Sequence, residues 1–220
     1  MPHVVLLGDS IFDNGAYTAG GPDVVTQLRE VLSAGWRATL GAVDGATTED
    51  FAAQLDALPD DATHLVVSLG GNDALSHMDL LDRRAHSSAE VLAELAGAGE
   101  RFAKRYRHAI DGALAYRLPT VVCTIYDGNF PDADFQRLAS TALSVFNDAN
   151  LRVAFEHALT VIDLRSICSE PQDYANPIEP SSRGGQKIAE AICEVVADGG
   201  RHFARVHAGH RLHVSRALTP

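Results

Sequence analysis

The most constraining feature of this chain is a set of short, mainly apolar runs spaced between helical stripes. Residues 4–7 (Val-Val-Leu-Leu), 38–43, 65–69, 120–125 and 159–164 carry apolar residues on both alternating faces, interspersed with a few polar ones such as Thr39, Ser68, Thr124 and Asp163, and each is bounded by Gly or polar turns. A strand that buries both faces belongs to a sheet covered on each side, and consecutive parallel strands need a helical crossover between them. The intervening segments supply it. Val24, Leu28, Val31 and Leu32 mark one helix, Phe51, Leu55 and Leu58 a second. Long helical stretches follow over 88–116, with a break expected near Gly97 and Gly99, and over 133–158. A last stripe of Ile188, Ala189, Ile192 and Val196 closes the pattern in a helix over 181–196. Five parallel strands with right-handed crossovers make a three-layer α/β/α sandwich, whose ligands lie beyond the carboxyl ends of the strands.

With 220 residues, one α/β domain over 1–197 is expected, followed by a tail over 198–220. The tail after Asp198 has no acid, but carries Arg201, Arg205, Arg211 and Arg216 and the histidines His202, His207, His210 and His213. Their irregular spacing without a carboxylate argues for a solvated segment rather than a metal site. The formal net charge of −11 disfavours nucleic acid and anionic membranes as partners. The N-terminus lacks the pattern of a secretory signal, and no apolar run reaches membrane-spanning length. Cys123, Cys168 and Cys193 are an odd number without CxxC spacing, which suits reduced thiols. A cytoplasmic protein is the expectation, with no metal, cofactor or membrane span.

Chemistry concentrates just beyond the strands. Gly8-Asp9-Ser10 ends the first strand and delivers a serine to the sheet's carboxyl edge. Gly45, in Gly45-Ala46-Thr47-Thr48, precedes a helix and can turn a backbone N–H toward a developing oxyanion. Asn72, in Gly70-Gly71-Asn72-Asp73, follows the third strand and can offer its side-chain amide to the same oxyanion. Each block alone is ordinary turn or cap chemistry. Asp9 is expected to hydrogen-bond within its turn, Asp13 and Asn14 to shape the loop over a pocket, and Asp127-Gly128-Asn129 to line its edge.

Together and in this order, the three blocks resemble the SGNH hydrolases, also called the GDSL esterase and lipase family. That resemblance covers residues 3–197. It implies a flavodoxin-like fold, an ester or thioester substrate, and an oxyanion hole built from the Ser10 N–H, Gly45 and Asn72. The fourth block of the family usually reads Asp-x-x-His-Pro-Ser. Here it is Asn176-Pro177-Ile178-Glu179-Pro180-Ser181, in frame with the glycine and helix that follow. The expected base is therefore Glu179, an intrinsically weaker one than imidazole, which burial can strengthen. Asn176 is expected to donate a hydrogen bond that orients it, while removing a second negative charge. The leading expectation is acyl transfer to Ser10 with Glu179 as base. The alternative is an impaired relative that binds a small acylated ligand without hydrolysing it. A histidine recruited from elsewhere, such as His77, is a third route.

Overall fold

A computed structural model describes residues 1–198. The expected tail over 198–220 therefore lies, apart from its first residue, outside the described residues. Five strands form one parallel sheet in the order β2-β1-β3-β4-β5. They are β1 (His3–Gly8), β2 (Arg37–Leu40), β3 (His64–Ser68), β4 (Thr120–Cys123) and β5 (Thr160–Ile162). β1 lies between β2 and β3, with Leu6 opposite Leu40 on one side and Val66 on the other. Strand order reverses there, so the crevice where ligands gather opens between the carboxyl ends of β1 and β3.

The apolar runs divide their side chains between two cores, as strand alternation requires. Val4, Leu6, Val66, Val121 and Ile162 pack on one face with Val24 and Leu28 of α1 (Val24–Val31) and Ile188 and Ile192 of α7 (Ser182–Asp198). Val5, Leu7, Leu65, Val67 and Val122 face the other way, against α2 (Phe51–Asp56), α4 (Ser88–Leu114) and α5 (Ala133–Glu156). Side chains cap the helix starts: Asp23, Ser87 and Asp132 each accept from a backbone N–H in the first turn of α1, α4 and α5. Such caps satisfy donors that the helix itself leaves orphaned. The three-layer α/β/α sandwich follows as expected.

α4 runs unbroken through Gly97 and Gly99, against the expected interruption. The reason is packing rather than backbone freedom. A Cβ at residue 99 would stand 2.4 Å from Val145 Cγ1, so the absent side chain lets α4 lie close on α5. Short helices that the sequence pattern did not announce, α3 (Gly71–Leu75) and α6 (Leu164–Ile167), turn the chain just after β3 and β5. Cys123 and Cys168 are buried, Cys193 is half-buried, and all three are free thiols.

Candidate active site

The site is assembled from four loops at the carboxyl edge of the sheet. The first begins at Gly8, which has φ +128° and lies so close to β3 that a Cβ there would stand 1.6 Å from the Ser68 carbonyl oxygen. Only glycine fits this turn. Its peptide is gripped on both sides by Gln54: the Gly8 N–H donates to Gln54 Oε1 at 2.7 Å, and Gln54 Nε2 donates to the Gly8 carbonyl at 2.8 Å. Two residues on, Ser10 is buried to 8% exposure. Among the described residues its N–H has no protein acceptor.

Asp9 points inward. Its Oδ1 accepts from the Ile11 N–H at 3.2 Å, and Gly71 lies close to its Oδ2. Burial pushes Asp9 up to about 7, assisted by the charges of Glu179 and Asp73 and opposed by the backbone at Ile11 and Gly71.

Asn72 stands on α3, directly across from the second loop. Its Nδ2 donates one hydrogen to the Ala46 carbonyl at 3.0 Å, leaving the other hydrogen directed elsewhere. Its neighbour Asp73 locks the same loop by accepting from both the N–H and the hydroxyl of Thr48, at 3.0 and 2.6 Å. Gly45, with φ +79°, sits in this loop one residue before Ala46, and its N–H likewise has no protein acceptor among the described residues. Gly45 is exposed and does not line the cavity beside Ser10.

Glu179 arrives from the C-terminal side on a tight loop. The Ala175 N–H donates to the Glu179 carbonyl at 2.9 Å, and Tyr174 bridges Pro180. Tyr126 holds the loop from β4 by donating its hydroxyl to the Ile178 carbonyl at 2.6 Å, and the Asn129 N–H donates to the Pro177 carbonyl at 2.8 Å. Asn14 holds it from the other side: its Nδ2 donates to the Pro180 carbonyl at 3.3 Å while its Oδ1 accepts from the Val24 N–H at 3.0 Å. The Ser10 loop and the Glu179 loop are thus tied by one fully buried side chain.

The two segments meet. Glu179 is 7% exposed and lines the same cavity as Ser10. Burial raises the Glu179 carboxyl above its ordinary range; the neighbouring Ser10 hydroxyl pulls it down and the Asp44 charge pushes it up. Its Oε2 is buried with no hydrogen-bond partner among the described residues.

Asn176 takes a different place from the expected one. It is exposed, and rather than donating to the Glu179 side chain, its Oδ1 accepts from the backbone N–H groups of Ile178 and Glu179 at 2.9 and 3.0 Å. It shapes the turn that presents Glu179, as an Asx side chain does elsewhere. His77 lies in the cavity wall with its ring 6.1 Å from that of Phe146, and makes no hydrogen bond to Ser10.

Ser10, Asn72 and Glu179 stand at one end of a cavity of about 130 Å³. Its far wall is apolar: Leu75, Leu81, Leu95, Ile125, Leu143 and Phe146, from α3, α4, α5 and the loops between. Asp127 and Gly128 line its edge, as expected.

Comparison with known proteins agrees with this fold. The sequence matches the profile of the GDSL-like lipase/acylhydrolase family over residues 6–207. The chain belongs to this family. No curated protein sequence matches it. Among solved structures it is similar to an extracellular lipase from Streptomyces rimosus, at 18% identity and a TM-score of 0.63, covering 90% of this chain and 99% of that one. It is similar to a lipase from a goat rumen metagenome, at 20% identity and a TM-score of 0.67, covering 91% and 99%. A phospholipase A1 from Streptomyces albidoflavus is similar at 17% identity and a TM-score of 0.63, covering 90% and 98%. At these identities the shared property is the fold. Among the described residues, no helix is long and apolar enough to cross a membrane.

The sequence reading missed Gln54 and Tyr126. The signal for Gln54 was available: a buried amide one turn into an otherwise apolar helical stripe that faces β1. Tyr126 had no local signal, because its partner carbonyl is 52 residues away.

Proposed function

We propose that this family member is a serine ester hydrolase in which Ser10 is the nucleophile and Glu179 the base. The observation that carries the reading is the convergence of Ser10 and the buried Glu179 on the wall of one largely apolar cavity. In this reading the acyl chain of the substrate lies along Leu75, Leu95, Leu143 and Phe146. Ser10 Oγ attacks the carbonyl carbon while its proton passes to Glu179. The carbonyl π bond opens to an oxyanion held by the Ser10 and Gly45 N–H groups and the free hydrogen of Asn72 Nδ2. Collapse breaks the bond to the alcohol oxygen, which takes the proton from Glu179. Water then repeats the sequence in reverse on the acyl-serine.

A carboxylate suits this role only if its basicity is raised. Burial supplies that, and the Asp44 charge adds to it. Asn176 is a positioning residue here, fixing the backbone from which Glu179 projects.

The test is a fluorophosphonate probe followed by p-nitrophenyl ester turnover. Labelling that disappears in Ser10→Ala, with turnover lost in Glu179→Ala, is the expected result. Turnover unchanged in Glu179→Ala removes Glu179 from the mechanism. Absence of labelling between pH 5 and 9 instead supports an acyl-ligand-binding protein on the hydrolase scaffold.

A further inference from the structure

One polar side chain in the cavity wall has no part in the proposed hydrolysis. His77 lines the cavity where the chain turns from α3 into the short 3-10 helix Met78–Leu81. Its imidazole packs on Phe146 in the far wall, with ring centroids 6.1 Å apart and planes tilted by 31°. The backbone of His77 is engaged: its N–H donates to the Ala74 carbonyl at 3.0 Å and its carbonyl accepts from the Leu80 N–H at 3.1 Å. The ring is not. It does not cap the helix it precedes, and among the described residues it has no hydrogen-bond or ion-pair partner. The far wall offers it none, because the side chains of Leu75, Leu81, Leu95, Leu143 and Phe146 carry no donor or acceptor. The other ionisable lining residues, Asp9, Asp127 and Glu179, are all acids, and among the described residues no Lys or Arg lines the cavity.

The consequence of an unpaired imidazole depends on the ligand. Water in an open cavity can serve both ring nitrogens. An acyl chain laid along the apolar wall displaces that water, and a plain hydrocarbon chain returns nothing for the lost bonds. A polar group stripped of water without a partner is unfavourable, so the site is biased against such a chain. A chain that carries its own polar group restores the bond. The cavity narrows what that group can be. A neutral imidazole has one donor and one acceptor nitrogen, and a hydroxyl can answer either. A second carboxylate on the chain would enter a cavity with three acids and no Lys or Arg, where repulsion opposes it.

Resting on the ester-hydrolase reading, we propose that His77 is a specificity-determining residue that binds a hydroxyl carried by the acyl chain, so that the preferred substrates are esters of hydroxyacids. Because the ring packs on Phe146, in the wall away from Ser10, the hydroxyl belongs on the distal part of the chain rather than beside the ester carbonyl.

Ethyl hexanoate, ethyl 3-hydroxyhexanoate and ethyl 6-hydroxyhexanoate carry no hydroxyl, a near one and a distant one, and titration of the released acid follows all three. Wild type is expected to favour the 6-hydroxy ester over ethyl hexanoate by about fivefold in kcat/KM, the worth of one net hydrogen bond. His77→Phe keeps an aromatic ring against Phe146 and removes the polar atoms. It should erase the preference, raising kcat/KM for ethyl hexanoate and lowering it for the 6-hydroxy ester; the smaller His77→Leu should do the same and serves if phenylalanine does not fit. A preference for the 3-hydroxy ester that is lost in these variants also supports the subsite, nearer the carbonyl. Equal kcat/KM for the three esters in wild type, or a preference that survives both variants, overturns the subsite while leaving ester hydrolysis standing. If none of the three is turned over, the hydrolase reading fails, and calorimetric binding of the same esters to wild type and His77→Phe decides the subsite separately. Tighter binding of a hydroxy ester that is lost in the variant supports it, and equal or absent binding refutes it.

Discussion

Replacing Asp9 with asparagine should change how stability depends on pH, and by an amount the structure sets. Asp9 is 2% exposed and held at about 7, against an ordinary value of 3.8. That gap of about 3 units corresponds to about 4 kcal/mol between the two protonation states. Because the folded carboxyl is the weaker acid, the folded chain keeps its proton where the unfolded chain has lost it. Stability is therefore greatest below pH 4, falls as pH rises through the window from about 4 to 7, and is flat above it. Between pH 5 and pH 8 this one group should cost the wild type about 2.5 kcal/mol. The carboxamide of the Asp9→Asn variant cannot titrate, yet its oxygen can still accept from the Ile11 N–H. Urea unfolding of both proteins across pH 5–8 reads the effect as a difference, which removes most contributions shared with Glu179. The wild type should lose ground steadily against Asp9→Asn as pH rises. A difference that stays constant within a few tenths of a kcal/mol would show that Asp9 is already ionised at pH 5, and the account of a buried neutral carboxyl beside Glu179 would be wrong.

Glu179→Gln should lower kcat by at least about a hundredfold, since general-base catalysis typically contributes 10²–10⁴, while fluorophosphonate labelling slows in parallel. Wild-type activity should rise with pH through the ionisation of Glu179, which lies above 4.5 because of burial, and should persist at more acidic pH than in a Glu179→His variant. Asn72→Ala should reduce kcat by about 10²–10³ with little change in KM, as for loss of one oxyanion donor; an equal rise in KM would assign Asn72 to ground-state binding. Gln54→Leu should destabilise the fold by roughly 2–4 kcal/mol in urea, because it strips partners from both the buried N–H and carbonyl of Gly8.

The architecture was legible because parallel strands buried on both faces leave a mark in every residue of the run. Leu65, Val66 and Val67 are all inside, so no alternation had to be guessed. Ser10, Gly45 and Asn72 were legible as positions because each follows its own strand closely, where few residues separate the sheet edge from the crevice. What escaped was set by contacts between distant segments. Asn14 looked like a loop residue, and nothing in its neighbourhood announces a hydrogen bond to Pro180, 166 residues on. Gly99 looked like a helix breaker because its role is to make room for Val145, a requirement visible only once α4 and α5 lie together. Asn176 was placed in the right turn with the wrong bond. Sequence told which residue types stood three apart, whereas the direction of the amide depended on how the loop over 175–180 closed.

That bond also bears on why Asn and Glu occur together in the fourth block. The turn needs an acceptor for the N–H groups of Ile178 and Glu179, and an Asp carboxylate would serve as well as the Asn carboxamide. Geometry therefore does not choose between them; charge does. A histidine base gains from a neighbouring carboxylate, which stabilises the imidazolium formed as it takes a proton. A glutamate base in the same position loses, because each added negative charge makes its ionised form harder to keep. Glu179 already feels Asp44, and Asp9 feels Glu179 in turn, with no Lys or Arg paired to any of the three among the described residues. In the proposed mechanism a neutral residue at 176 spares Glu179 one more repulsion while preserving the turn that presents it. Under the proposed mechanism the two departures from the family pattern are one physical adjustment: with an anionic base, the side chain that shapes its loop works better without a charge.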